Sequence, residues 1–289
     1  MKGVGGALAA LLLSLSCSVL AEQKTVIWTK YDFEPVHIAR GENAGLGMSD
    51  LLFDYLQQGL PNYVHVEEYS NIPRILKDLK GPRTICSSLL KTPEREGMFL
   101  FSDATLLIPN HSVQFLATRK SELEKKYGLM LEGQISLAQL VAHPQALFGL
   151  IRNRSHGPVA DKLLSAREDK VIFRSGSFDL LGLVEMMKKR RFDFTVEYPY
   201  VSYYELSKQG RESEIYSVAI DNAGASLHAH LACSDTPTGR ALISQVNTLL
   251  RSSRASERHR ALVERWLPNS ARQDFRRKYA DFVAQMPQP

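Results

Sequence analysis

Ile72, Ile75, Leu76 and Leu79 recur at i, i+3, i+4 and i+7 between two short β-branched runs, and this alternation constrains the fold more than any other feature of the chain. The helical stripe stops at Gly81-Pro82. Val64-His65-Val66 precedes it and Thr84-Ile85-Cys86 follows, both read as strands. Upstream, Thr25-Val26-Ile27-Trp28 reads as another strand, and Met48, Leu51, Leu52, Tyr55 and Leu56 repeat at helical spacing behind a candidate Ser49 cap. Strand, helix, strand, helix, strand is the order of a mostly parallel sheet with helices on its faces.

A loop is expected over 89–103, and a second alternating series begins at Ser112. Its strands are placed at 112–117, 147–151, 170–173, 192–196 and 214–218, with helices over 159–164 and 178–189 and one more strand at 227–233. Two alternating units imply two α/β lobes. From Thr238 onward the pattern is helical: Leu242, Val246, Leu249 and Leu250, then Leu262, Val263 and Trp266, then a basic helix over 274–284. The tail arginines, among them Arg254, Arg258, Arg265 and Arg276, read as a solvated helical face, with docking on a partner or an anionic surface as the sharper alternative.

At 44% hydrophobic and 23% charged, 289 residues can build cores for one large or two medium domains. The 36 basic and 31 acidic residues make a mixed surface, and no nucleic-acid partner is expected. Lys2, the apolar run over 7–15 and the ending Val19-Leu20-Ala21 have the three regions of a secretory signal peptide over 1–21, cleaved after Ala21. An uncleaved anchor and a lipoprotein modified on Cys17 are the alternatives. Export places the mature chain in an oxidising compartment, where the two remaining cysteines, Cys86 and Cys233, form either one disulfide or a pair of buried thiols.

The stretch Leu90-Lys91-Thr92-Pro93-Glu94-Arg95-Glu96, followed by Phe101-Ser102, sits just after a predicted buried strand. Thr92 and Arg95, three residues apart at a strand's C-terminal end, can offer a hydroxyl and a planar guanidinium to one carboxylate. In open α/β sheets ligands bind outside those strand ends. A surface arginine in a polar loop explains the same residues. His228 and His230 have the spacing of a metal pair, but a regular strand points Cys233 the other way, so no metal site is expected. His65, His111 and His143 read as structural histidines. No G-x-S-x-G elbow occurs, and Gly45-x-Gly47 lacks the rest of a phosphate loop.

Thr92-Pro93-Glu94-Arg95 followed by Phe101-Ser102 resembles the T-x-x-R…FS signature of the family 3 periplasmic solute-binding proteins, the polar amino-acid binding components of ABC importers. Phe33-Glu34-Pro35 looks like that family's aromatic and proline ligand loop. The segment from Gly45 through Asp50 to Leu52 looks like its glycine, helix and aspartate element, and Phe192-Asp193-Phe194-Thr195-Val196-Glu197-Tyr198 resembles the strand that brings an acid to the ligand's amine. The similarity runs from Thr25 to about Trp266.

The resemblance implies a two-lobed periplasmic-binding-protein type II fold, each lobe a mostly parallel sheet flanked by helices. The first lobe would comprise 22–110 and the return segment 223–289 with the C-terminal helices, the second 111–222, with crossings at 108–112 and 219–226. It implies that Arg95 holds a carboxylate with Thr92 and Ser88, that Phe33 packs on the ligand body, that Ser155 and His156 offer donors at a helix start, and that Glu197 or Tyr198 meets the amine. Leu90 departs from the small hydroxyl residue common there, and Tyr198 rather than Glu197 falls at the usual spacing after Asp193. The Cys86 and Cys233 strands would be neighbours in one sheet.

The function implied is capture of a small amino-acid-like or carboxylated solute in an interlobe cleft, by a periplasmic monomer that delivers it to an inner-membrane permease. A ligand-sensing accessory to a membrane receptor is one alternative. A cleft enzyme of dehydratase type, with Glu197 or Glu34 as acid beside Arg95, is another; the expectation is no catalytic residue and no cofactor.

Overall fold

The computed structural model describes residues 24–287, apart from position 153 and the stretches 176–179 and 222–226. The signal-peptide reading over 1–21 lies outside the described residues, as does most of the second crossing. In chain order the first elements are β1 (Lys24–Lys30), α1 (Met48–Gln58), β2 (Tyr63–Tyr69), α2 (Ile72–Asp78), β3 (Ile85–Leu90), α3 (Pro93–Glu96), β4 (Leu100–Ile108) and β5 (Ser112–Leu116). Next come α4 (Lys120–Tyr127), β6 (Gln134–Ile135), α5 (Leu137–Ala142), β7 (Phe148–Ile151), α6 (Pro158–Ser165), β8 (Val171–Arg174), α7 (Leu180–Lys188), β9 (Thr195–Glu197) and α8 (Pro199–Ser207). The chain closes with β10 (Ile215–Ile220), β11 (Leu227–Cys233), α9 (Pro237–Ser253), α10 (Glu257–Glu264) and α11 (Asn269–Gln285).

The first sheet has the order β2-β1-β3-β11-β4, the second β6-β10-β5-β9, and β7 pairs with β8 beside it. A bridge from Phe148 to Phe194 and the Gly149 amide bond to the Phe194 carbonyl (2.8 Å) attach that pair to the second sheet. In the first sheet β1, β2 and β3 run parallel and β11 alone runs against its neighbours; in the second β5 is the reversed strand. This is the two-lobed α/β fold, and the reversed strands are those that follow the two crossings, from β4 to β5 and from β10 to β11.

Strand alternation builds the first lobe's two cores. Val26 and Trp28 of β1 face a core with Phe53, Leu242 and Trp266, while Ile27 faces the opposite side with Ile75, Leu79 and Ile85. Cys86 and Cys233 lie directly opposite in the antiparallel β3–β11 pair and are joined in a disulfide, with Cα atoms 4.2 Å apart. That pairing matches the neighbouring-strand expectation.

Three local readings change. Ser49 does not cap α1: Gly47 occupies that position and the Asp50 carboxylate accepts from the Gly47 amide (3.2 Å), leaving Ser49 buried in the first turn. The expected loop over 89–103 instead contains α3 and the start of β4. The pairing of β4 with β11 shifts register on either side of His230, which breaks the two-residue pattern that marks a strand. Nor is Arg254 part of a solvated face: it is buried and donates to the Ala104 carbonyl (2.9 Å), while Arg260 and Arg276 flank Glu264.

Candidate ligand site

The C-terminal ends of β1 and β3 deliver Tyr31, Ser88, Leu89 and Leu90 to one side of a recess, with Phe33 and Val36 from the loop after β1 and Ser49 from the start of α1. Tyr198 and Tyr200, at the junction of β9 and α8, come from the second lobe, and Ile108, Leu227 and Ala229 close the recess beside the crossings. Its volume is about 150 Å³. Apolar and aromatic side chains predominate, as usual for small-molecule sites, with a few fixed polar groups among them. Tyr31 Oη donates to the Ser88 carbonyl (3.1 Å) and Ser49 Oγ to Ser88 Oγ (2.9 Å).

α8 is what makes the recess an interlobe feature. It packs on α7 and β10 of the second lobe, yet sends Tyr200, Val201 and Tyr204 into the first lobe's core, with Tyr204 edge-on to Trp266 at 5.3 Å. Outside that lining, Lys208 Nζ lies 3.4 Å from the Glu34 carboxylate across the lobes. A larger recess of about 520 Å³ lies between α1 and α10, but only first-lobe helices and their connections line it, so lobe movement would not gate it.

Charge is distributed unevenly around the recess. Arg95 is part-exposed on α3 and donates through Nη1 to the Leu90 carbonyl (2.9 Å). Burial pushes the Tyr31 phenol up to about 12 against the smaller, lowering field of Arg95. The guanidinium therefore sits at the edge formed by two lining residues. Thr92, beside it, spends its hydroxyl on Glu94 (2.7 Å).

On the second lobe, Glu197 is 2% exposed and does not line the recess. Its Oε1 accepts from Arg154 Nη2 and from the Tyr198 amide, both at 2.8 Å. The turn that leads into α6 is likewise engaged: Ser155 Oγ donates to Asp161 (2.6 Å) and the His156 amide to the same carboxylate (2.8 Å). His111, at the first crossing, stacks on Tyr198 with ring centroids 3.6 Å apart. Burial, then the positive fields of His156 and Arg154, push its pKa down to about 3.

Phe33, Ser88 and Tyr198, proposed from the sequence, thus share one lining, and Arg95 stands at its edge. Thr92, Ser155, His156 and Glu197 lie outside that lining, each bonded within its own lobe. Sequence reading missed Tyr31, Ser49 and Tyr200. Tyr31 and Ser49 follow a strand end and a helix start, the general signal for this fold; Tyr200 carries no local signal.

Behind the recess lies a second missed feature, a buried charge cluster. Asp50 accepts from His37 Nδ1 (2.9 Å) and the Ile38 amide (2.8 Å), and Lys30 Nζ reaches both Asp50 (3.4 Å) and Glu67 (2.7 Å). Burial alone would raise the Asp50 pKa, but the bonds from His37 and Ile38 and the charge of Lys30 hold it below the usual carboxylate range. Burial would lower Lys30; Glu67 and Asp50 outweigh it and keep it raised. The cluster ties the β1 end, the α1 start and β2 together beneath the lining.

The sequence matches no family model and no curated protein. Solved structures do share its fold. The chain is similar to an ancestral cationic amino acid solute binding protein, AncCDT-1 (TM-score 0.62, 16% identity, covering 85% of this chain and 96% of that one). It is also similar to ytmK of Bacillus subtilis, described as a probable amino-acid ABC transporter extracellular-binding protein (TM-score 0.61, 15% identity, 85% and 98% covered). An ancestral cyclohexadienyl dehydratase has the fold as well (TM-score 0.52, 14% identity, 84% and 92% covered). At these identities the shared property is the fold: a two-lobed periplasmic-binding-protein type II architecture.

Proposed function

We propose that the chain is an exported solute-binding protein that captures a small amino-acid-like or carboxylated solute between its lobes for delivery to an ABC importer. The observation that carries this reading is the recess lined from both lobes at the strand ends, with Arg95 at its edge. A solute there touches Phe33 and Ser88 on one lobe and Tyr198 on the other, so occupancy favours the closed arrangement and gives a membrane partner something to read. The partner is an inner-membrane permease; a sensor domain would use the same closure. The likeness to amino-acid binding proteins of ABC importers supports this reading. The dehydratase likeness favours a second one, a cleft enzyme. Its candidate acids, Glu197 and Glu34, would first have to leave their ion pairs with Arg154 and Lys208.

A thermal-shift screen against amino acids, small carboxylates and polyamines tests the capture reading. A true ligand at 100 times its dissociation constant stabilises the fold by about 2.7 kcal/mol. Arg95→Ala should leave the unliganded melting temperature unchanged and weaken a carboxylated hit about a hundredfold, on the order of 3 kcal/mol. Full affinity in that variant would remove Arg95 from the site.

A further inference from the structure

We propose that the solute is a small carboxylate bearing one aromatic or branched apolar group and no charged amine; this rests on the capture reading above. The cavity's volume, its lining and its charge each bear on the ligand. A volume of about 150 Å³ suits one ring or one branched chain, since an apolar cavity of about that size accommodates benzene. Tyr31, Phe33, Leu90, Tyr198 and Leu227 offer faces to such a group, and among the described lining residues the only side-chain polar groups besides the tyrosine phenols are the Ser49 and Ser88 hydroxyls.

Charge decides the rest. No carboxylate occurs among the described lining residues. The acid that the sequence pattern brings to this position, Glu197, faces Arg154 at 2.8 Å and takes the Tyr198 amide on the same oxygen. Glu34, outside the lining, is paired with Lys208. An ammonium entering this cavity would shed hydrating water and find no opposite charge among the described lining residues, which is costly in an apolar site. A carboxylate at the edge meets Arg95, whose guanidinium spends one contact on the Leu90 carbonyl and has five N–H donors in all. Among the described residues the site provides for the acidic half of an amino acid and for an apolar body, and not for the basic half.

Calorimetric titration of the purified protein with matched pairs tests this: phenylacetate against phenylglycine, and isovalerate against valine, with benzylamine as the amine-only probe. The expected result is that each plain carboxylate binds at least about tenfold more tightly than its α-amino counterpart, that benzylamine gives no heat, and that Arg95→Ala weakens phenylacetate about a hundredfold. Arg95→Lys, which keeps the charge but not the planar fork, should recover only part of the loss. Equal or tighter binding of phenylglycine or valine, or binding of benzylamine, overturns the inference and leaves the capture reading standing. Silence from every probe also overturns the inference, and the broader thermal-shift screen then decides separately whether the cleft captures a solute at all.

Discussion

Arg95 and Glu197, one on each lobe, carry opposite charges in opposite conditions. On the first lobe Arg95 sits on the short helix α3, part-exposed, bonded to the carbonyl of Leu90 at the end of β3. On the second, Glu197 sits on β9, nearly inaccessible, with Arg154 across from it and a backbone amide on the same oxygen. A part-exposed charge on a short surface helix can remain solvated until a ligand arrives. A charge on a buried strand must be paired inside the fold, because an isolated carboxylate in low dielectric is expensive. Two residues that the sequence offers to a ligand, Arg95 first and Glu197 as an alternative to Tyr198, therefore stand in different surroundings in the folded molecule.

The largest effect that would sharpen this contrast concerns how each lobe is held. The first lobe is stapled by a disulfide whose cysteines are 147 residues apart in sequence, and the second lobe contains no cysteine. Replacing Cys86 and Cys233 together with serine should destabilise the protein by up to about 5 kcal/mol on the chain-entropy account, seen as a large drop in melting temperature by calorimetry. An unchanged melting temperature would mean that the first lobe is held by its packing alone.

The next effect belongs to the hinge side of the second wall. His111 is buried against Tyr198 with its pKa lowered to about 3, against about 6.5 in the unfolded chain. Below pH 6.5 the unfolded state takes up a proton that the folded state refuses, so stability is present above that pH and falls as the pH drops toward 3. By pH 4 the loss from this one group reaches roughly 3 kcal/mol. The groups facing it, His156, Arg154 and Asp161, are part of the same balance. His111→Phe should flatten the decline in melting temperature between pH 6.5 and 4; an unaltered slope would assign the acid sensitivity to other histidines.

Smallest, and most direct for the comparison itself, is Glu197→Gln. Breaking a fully buried pair costs more, but the Arg154 side chain is 24% exposed and water relieves it, so a loss of about 2 kcal/mol is expected by denaturant titration. Affinity for a carboxylated ligand should stay within about twofold of the unmodified protein. A hundredfold loss of affinity would break the contrast, returning Glu197 to the ligand.

Much of the fold was legible because sheets and helices announce themselves locally. β1, β2 and β3 follow from short β-branched and aromatic runs and α1 and α2 from a 3.6-residue period, none of which needs a partner to be read. β4 escaped because its pairing with β11 is irregular at His230, and α8 because Tyr200, Val201 and Tyr204 face one lobe while the helix rests on the other, which erases a single apolar stripe. At the site, Phe33, Ser88 and Arg95 were readable as strand-end and motif residues. Ser155 and His156 carried the same kind of signal; in the fold the Ser155 hydroxyl and the His156 amide both go to Asp161.

By itself the sequence determined the α/β alternation, the two units, the strands that hold Cys86 and Cys233, and an arginine poised at a strand end, all properties written in short windows of residue type and spacing. Only the tertiary structure decided which charges are paired and which residues share a lining: Arg154 reaches Glu197 from 43 residues away, and Tyr200 reaches the recess from the second lobe. Such pairings depend on directions and distances between elements, and the energy that selects them, the cost of leaving a buried charge alone, exists only once the chain has excluded water.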